Sequence, residues 1–143
     1  MSISARKMNA IPKAFVSLCC LVACLMLAAA VAAQEGHPLV GTWRGSWGSA
    51  ANQRTDVTFV MEWDGKSATG LINPGLDAIR IQRMTLDAAA WTVRIEAEAM
   101  RQAGPSRIVI DAKFEDVTNR RRSLAGTWTE AGVKSDFRIR REP

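Results

Sequence analysis

The feature that most limits what this chain can become is an alternation of apolar and polar residues with a period of two. Val57, Phe59, Met61 and Trp63 alternate with Asp56, Thr58, Val60 and Glu62. Successive side chains of an extended strand point to opposite faces, so this pattern gives one face to a core and one to water. Trp91, Val93, Ile95, Ala97 and Ala99 repeat it against Thr92, Arg94, Glu96 and Glu98, and Ile108, Ile110, Ala112 and Phe114 repeat it once more. The alanines and glutamates of the second run favour a helix by propensity, but unbroken alternation outweighs propensity.

Two other runs carry the same tripeptide. Val40-Gly41-Thr42-Trp43-Arg44-Gly45 stands early and Leu124-Ala125-Gly126-Thr127-Trp128-Thr129 stands late. Leu39, Gly41, Trp43, Gly45 and Trp47 fall on one face of the first, and Leu124, Gly126 and Trp128 on one face of the second. Val133, Ser135, Phe137 and Ile139 form a last inward row, with Arg138, Arg140 and Arg141 beside or beyond it.

The breaks between runs are short. Residues 48–53 are small and polar and read as a loop, as do Asn73-Pro74-Gly75 and Gly104-Pro105. Asp64-Gly65 is a hairpin signal, because a type I′ turn needs positive φ. A two-residue loop there pairs Trp63 with Lys66, Met61 with Ala68, Phe59 with Gly70 and Val57 with Ile72. Ile79 and Ile81 share one phase while Met84 and Leu86 share the other, which places a β-bulge at Gln82-Arg83. The result is an all-β chain of eight strands without a helix in the mature part. Short even spacing and neighbour pairing make it an eight-stranded antiparallel up-and-down barrel whose first and last strands meet. A barrel of that size is filled by side chains or encloses one small ligand.

Ahead of the barrel, residues 1–13 carry Arg6, Lys7 and Lys13 and no acid, and an apolar run from Ala14 to Ala33 follows. A positive segment, an apolar segment and small residues at the cut define a secretory signal peptide. The expected division is a signal helix over 1–33, cut after Ala33, and a barrel domain over 34–143. An uncleaved anchor is one alternative. Lipidation at Cys24, in Leu21-Val22-Ala23-Cys24, is another, but it would leave Leu25-Met26-Leu27 on the mature protein. Each reading exports the domain, to the periplasm or beyond, and confines any membrane contact to this segment.

Charge narrows the function classes. The chain is +5, but without Arg6, Lys7 and Lys13 the 19 basic residues become 16 against 14 acidic ones, or +2. The remaining bases are spread among acids, so no nucleic-acid partner is expected. All 3 cysteines, Cys19, Cys20 and Cys24, lie in the apolar run, so no disulfide or thiol serves the barrel. His37 is the single histidine and has no ligand-type neighbour, so neither metal nor cofactor is expected. Ser135 lacks the oriented base that a nucleophile needs.

Gly41-x-Trp43 on a first strand, eight strands and an arginine near the end of the last resemble the lipocalin-like calycin barrels. Trp63-Asp64-Gly65-Lys66, Ile72-Asn73-Pro74-Gly75, Leu124-Ala125-Gly126-Thr127-Trp128 and Asp136-Phe137-x-Ile139-x-Arg141 carry the likeness to small secreted bacterial domains of that type. It covers nearly all of residues 39–142 and implies fold rather than ligand. It also implies that an arginine of the last strand packs over Trp43 and shuts one end, with Arg140 the choice among Arg138, Arg140 and Arg141. Gly41 and Gly126 would let the strands approach there. Avidin-type barrels are a fainter likeness, and the chain has 0 Tyr where they place one, so a biotin site is not expected.

The candidate ligand residues are the remaining inward-reading tryptophans, Trp47, Trp63, Trp91 and Trp128, with Arg83 beside the bulge as an anion anchor. Aromatic linings with few polar groups are what small-molecule sites have, although core packing is the commoner use of such residues. No acid–base cluster is legible. The expected function is therefore a non-enzymatic exported barrel that binds a small apolar or amphipathic molecule. The alternative is a solidly packed barrel acting through its loops on a protein partner, for example as a protease inhibitor.

Overall fold

A computed structural model describes residues 36–117 and 121–143. The expected signal helix and Cys24 lie outside the described residues. Eight strands follow in order: β1 (Gly41–Ala50), β2 (Gln53–Trp63), β3 (Ala68–Ile72), β4 (Ile79–Asp87), β5 (Thr92–Arg101), β6 (Gly104–Phe114), β7 (Ser123–Glu130) and β8 (Val133–Arg141). Each pairs antiparallel with its sequence neighbour, and β8 returns to β1 from Trp43↔Arg141 to Gly48↔Asp136. The chain is thus a closed up-and-down barrel, an architecture of the calycin and lipocalin type.

The alternation read from the sequence becomes the inside and outside of this barrel. Trp43, Phe59, Ile95, Ile110, Trp128 and Phe137 are buried, and with their inward neighbours from all eight strands they form the core. Burial of such side chains contributes about 1.5–3 kcal/mol each. The register between β4 and β5 slips between Ile81 and Arg83, where the phase change placed the bulge. One extra residue there lets both Ile81 and the Met84–Leu86 row meet the core.

Several local expectations are corrected. The β2–β3 loop has four residues rather than two. The Asp64 carboxylate accepts from the backbone N–H of Lys66 (2.8 Å) and of Ser67 (2.7 Å), and Asp64 N–H donates to the Ser67 carbonyl at 3.2 Å. This side-chain-capped turn is wider than a type I′ turn, although Gly65 still holds φ +95°. The register moves by two, to Phe59↔Ile72, Met61↔Gly70 and Trp63↔Ala68. A shift of two preserves which face each side chain takes, so the core is unaffected. Residues 48–53 are mostly strand, with β1 reaching Ala50 and β2 starting at Gln53. Val133 is 63% exposed rather than inward, because it stands at the rim.

Trp43, the residue expected to close one end, stands near the start of β1. It is fully buried, donates its indole N–H to the Leu39 carbonyl at 2.8 Å, and meets Phe114 edge-on at 6.1 Å. The approach to β1 turns back through a Val40 N–H to His37 carbonyl bond of 2.9 Å, which lets Leu39 plug the barrel beside it. The expected arginine is not Arg140. Strand alternation sends Arg140 to the outer face, opposite Arg44, while Arg141 lies opposite Trp43 in the ladder. Arg141 Nε is buried, and a Cβ added at Gly41 would stand 2.8 Å from it.

Gly126 is not beside Gly41. It sits between Ala112 of β6 and Phe137 of β8, where a Cβ would strike the Asp111 carbonyl. Its role is close approach of β7 to β6 in the middle of β7. Trp43→Ala should cost about 3–5 kcal/mol in urea unfolding, as buried aromatic truncations do. A loss under about 1 kcal/mol would mean that Trp43 does not seal the core.

Candidate functional site

The end opposite Trp43 is ringed by the turns at 51–52, 102–103 and 131–132 and by the longer connection 73–78. The β7–β8 turn has two residues. Ala131 (φ 49°) and Gly132 (φ 77°) both take left-handed backbone, the geometry of a two-residue I′ hairpin. It holds Glu130 directly opposite Val133, and β6–β7 pairing brings Ile108 to the other side of Glu130. β5 and β6 close with Arg101 opposite Gly104, so Arg101 arrives at the same rim. Pro105 is tolerated because it stands in the first residues of β6.

These elements frame a concave site of about 460 Å3. Trp47, Pro105 and Val133 give it apolar walls, and Arg101, Ser106, Glu130 and Ser135 give it polar ones. Beneath it, the Trp47 and Trp128 rings stack at 4.8 Å with planes 3° apart. Trp128 is buried while Trp47 remains partly open to the mouth. Such an offset aromatic pair gives a flat, rigid, sticky floor.

Arg101 grips Glu130 with both prongs, Nε to Oε1 at 2.7 Å and a terminal nitrogen to Oε2 at 3.1 Å. The Trp128 indole N–H donates to the same Oε2 at 3.2 Å. Burial acts to raise the Glu130 carboxyl, but hydrogen bonds from Arg101 and Trp128 and the Arg101 charge outweigh it and hold it below the ordinary value. The carboxylate is therefore ionised and occupied as an acceptor. It holds Arg101 and Trp128 in place.

The sequence-predicted residues separate in space. Trp47 and Trp128 meet at this mouth. Trp63 and Trp91 lie at the same end of the barrel as Trp43. Trp63 is 44% exposed and stacks on His37 at 4.6 Å, so the histidine is a ring partner, its protonation disfavoured by burial. Trp91 precedes β5 in left-handed backbone and meets Phe114 edge-on at 5.6 Å. Arg83 is turned outward by the bulge, opposite Glu96, and cannot anchor a ligand inside. Arg101, Glu130, Ser106 and Pro105 were missed. The β5–β6 and β7–β8 turns were each legible, and the fact that both end at the same rim was the available signal.

Among the described residues no cluster of His, Cys, Asp or Glu is arranged to hold a metal ion. Compared with known family models, curated proteins and solved structures, the chain matches none.

A carboxylate whose folded pKa is depressed stabilises the fold at neutral pH and loses that contribution as pH falls through the folded value. Unfolding midpoints should therefore drop as pH falls below the ordinary Glu value of 4.5, and Glu130→Gln should flatten part of that drop while lowering the neutral-pH midpoint. An identical pH profile in Glu130→Gln would show that the grip on Arg101 contributes nothing.

Proposed function

We propose that this is an exported, non-enzymatic barrel that holds a small amphipathic molecule in its open mouth, with the flat part against Trp47. The observation that carries the reading is the site of about 460 Å3 lined by Trp47, Pro105 and Val133 with an oriented Arg101–Glu130 pair at its edge. Apolar walls with a few convergent polar groups are the usual form of a small-molecule site. The concave site opens at the rim, so the ligand lies across the mouth against Trp47. Its polar end faces the Arg101 guanidinium and the Ser106 and Ser135 hydroxyls. An aromatic or ring-bearing compound with an acidic or hydrogen-bonding substituent fits these walls.

Another observation supports the loop-mediated alternative. Leu76 (107% exposed), Met100 (77%) and Val133 (63%) stand on this same rim, where a protein partner could cover them. The two readings differ in what they ask of Trp47. The amphipathic aromatic dye anilinonaphthalene sulfonate should quench tryptophan fluorescence saturably, and Trp47→Ala should weaken its binding by about tenfold, or about 1.4 kcal/mol. Equal titrations of wild type and Trp47→Ala would refute the mouth site and leave the rim to a protein partner.

Export rests on the positive first residues, the apolar run and the small residues before Gln34. The intact mass of the exported protein should begin at Gln34. A mass carrying a diacylglyceryl group on Cys24 would establish a lipoprotein instead.

A further inference from the structure

The outer surface carries a second site, independent of the mouth. Elsewhere on the barrel, outward charges that face each other across a ladder are of opposite sign. Arg83 lies opposite Glu96, Arg94 opposite Asp111, and Glu98 opposite Arg107. Arg94 contacts Asp111 at 2.7 Å and Glu96 at 3.2 Å, and Arg107 reaches Glu96 at 3.0 Å. The seam where β8 closes on β1 breaks this rule. There Arg44 lies directly opposite Arg140, both exposed, with Arg138 two residues along the same face.

Like charges directly opposite on neighbouring strands are destabilising. The local acids offset this row only in part, and they leave out Arg140. Glu142 takes Arg44 at 3.0 Å, Glu115 takes Arg138 at 3.1 Å, and Asp136 takes Arg54 at 2.8 Å. Arg140, at the centre, has no ion pair among the described residues. The surface here is concave rather than flat. A groove of about 430 Å3 is lined by Arg44, Ser46, Arg54, Arg138 and Arg140 and also by the carboxylates Glu115 and Asp136, each already paired with an arginine. Ser46 Oγ accepts from Arg54 Nε at 2.8 Å, which leaves its own O–H to donate.

We propose that this groove binds a tetrahedral oxyanion, a phosphate or sulfate group, bridging Arg140 and Arg44 across the β1–β8 seam. Guanidinium forks match such oxygens two at a time, and a doubly charged oxyanion converts the repulsive row into an attractive one. The Ser46 hydroxyl supplies a further donor. Because the two arginines belong to the first and last strands, binding there ties the barrel shut, so the anion acts as a clasp on closure. The shared chemistry is the oxyanion group, whether free in solution or carried on a polyanionic chain.

The test is the thermal midpoint of the full chain in inorganic phosphate, and separately in polyphosphate, against chloride at matched ionic strength. A ligand that binds only the folded state raises the midpoint with concentration. Wild type should rise and Arg140→Gln should not, while Arg107→Gln, on the other side of the barrel, should keep the rise. Without phosphate, Arg140→Glu should itself raise the midpoint by about 1–6 °C by replacing repulsion with attraction to Arg44. A rise in phosphate assigns the site to the free ion, and a rise in polyphosphate alone assigns it to a chain-borne group. Equal rises in wild type and Arg140→Gln, or no rise with either anion, would overturn the proposal.

Discussion

The pairing of β8 with β1 is the constraint on which everything else depends. An open sheet of this composition would expose two edges and have no enclosed side. Closing it satisfies both edges with backbone hydrogen bonds and turns period-two alternation into a true interior. The pairing runs from Trp43↔Arg141 to Gly48↔Asp136. It relies on Gly45, where any Cβ would strike the Arg138 carbonyl, so a small residue is the condition for the strands to come together. The same seam carries the opposed arginines on its outside, which is why an outward ligand there bears on the stability of the whole barrel.

The two Gly-Thr-Trp copies show how far identical local sequence can diverge in role. Trp43 lies near the start of β1, where its indole bonds to the Leu39 carbonyl and meets Phe114 edge-on. Trp128 lies near the end of β7, and its ring forms the lower layer of a stack whose upper ring, Trp47, faces the open mouth. Both are inward and buried, as alternation requires. Which end each serves depends on its distance along the strand and on the tilt of the barrel. The glycines differ as well: Gly41 makes room for the Arg141 side chain, while Gly126 makes room for the β6 backbone.

At the mouth, the polar part of the site is assembled from residues that are far apart in the chain. Arg101 ends β5 and Glu130 ends β7, and their bidentate contact exists because β6 spans the gap between those two strand ends. The carboxylate is held by Arg101 and by the Trp128 indole together, so the polar edge and the aromatic floor brace each other. A site of this kind is rigid because its members come from regular strands and two-residue turns. Its neighbours Leu76, Met100 and Val133 are apolar and open to water, and they make this the end of the molecule with the most to gain from being covered.

The sequence by itself determined the number of strands, the inward row of most of them, the bulge at Gln82-Arg83 and the meeting of first and last strands. These follow from nearest-neighbour geometry: a period of two, a phase slip and short turns need no knowledge of distant partners. It also marked Trp43 as an inward residue, and Trp43 is fully buried. Only the tertiary structure decided which of four tryptophans share a site, that Arg140 faces water while Arg141 lies opposite Trp43, and that Arg101 meets Glu130. It also decided the hairpin register at Asp64, because a side-chain cap on two backbone N–H groups competes with the tighter turn and both leave the alternation intact. Strand pattern records inside and outside but carries no coordinate along the barrel axis. Position along that axis comes from register, tilt and the turns, and those are settled only when all eight strands pair at once.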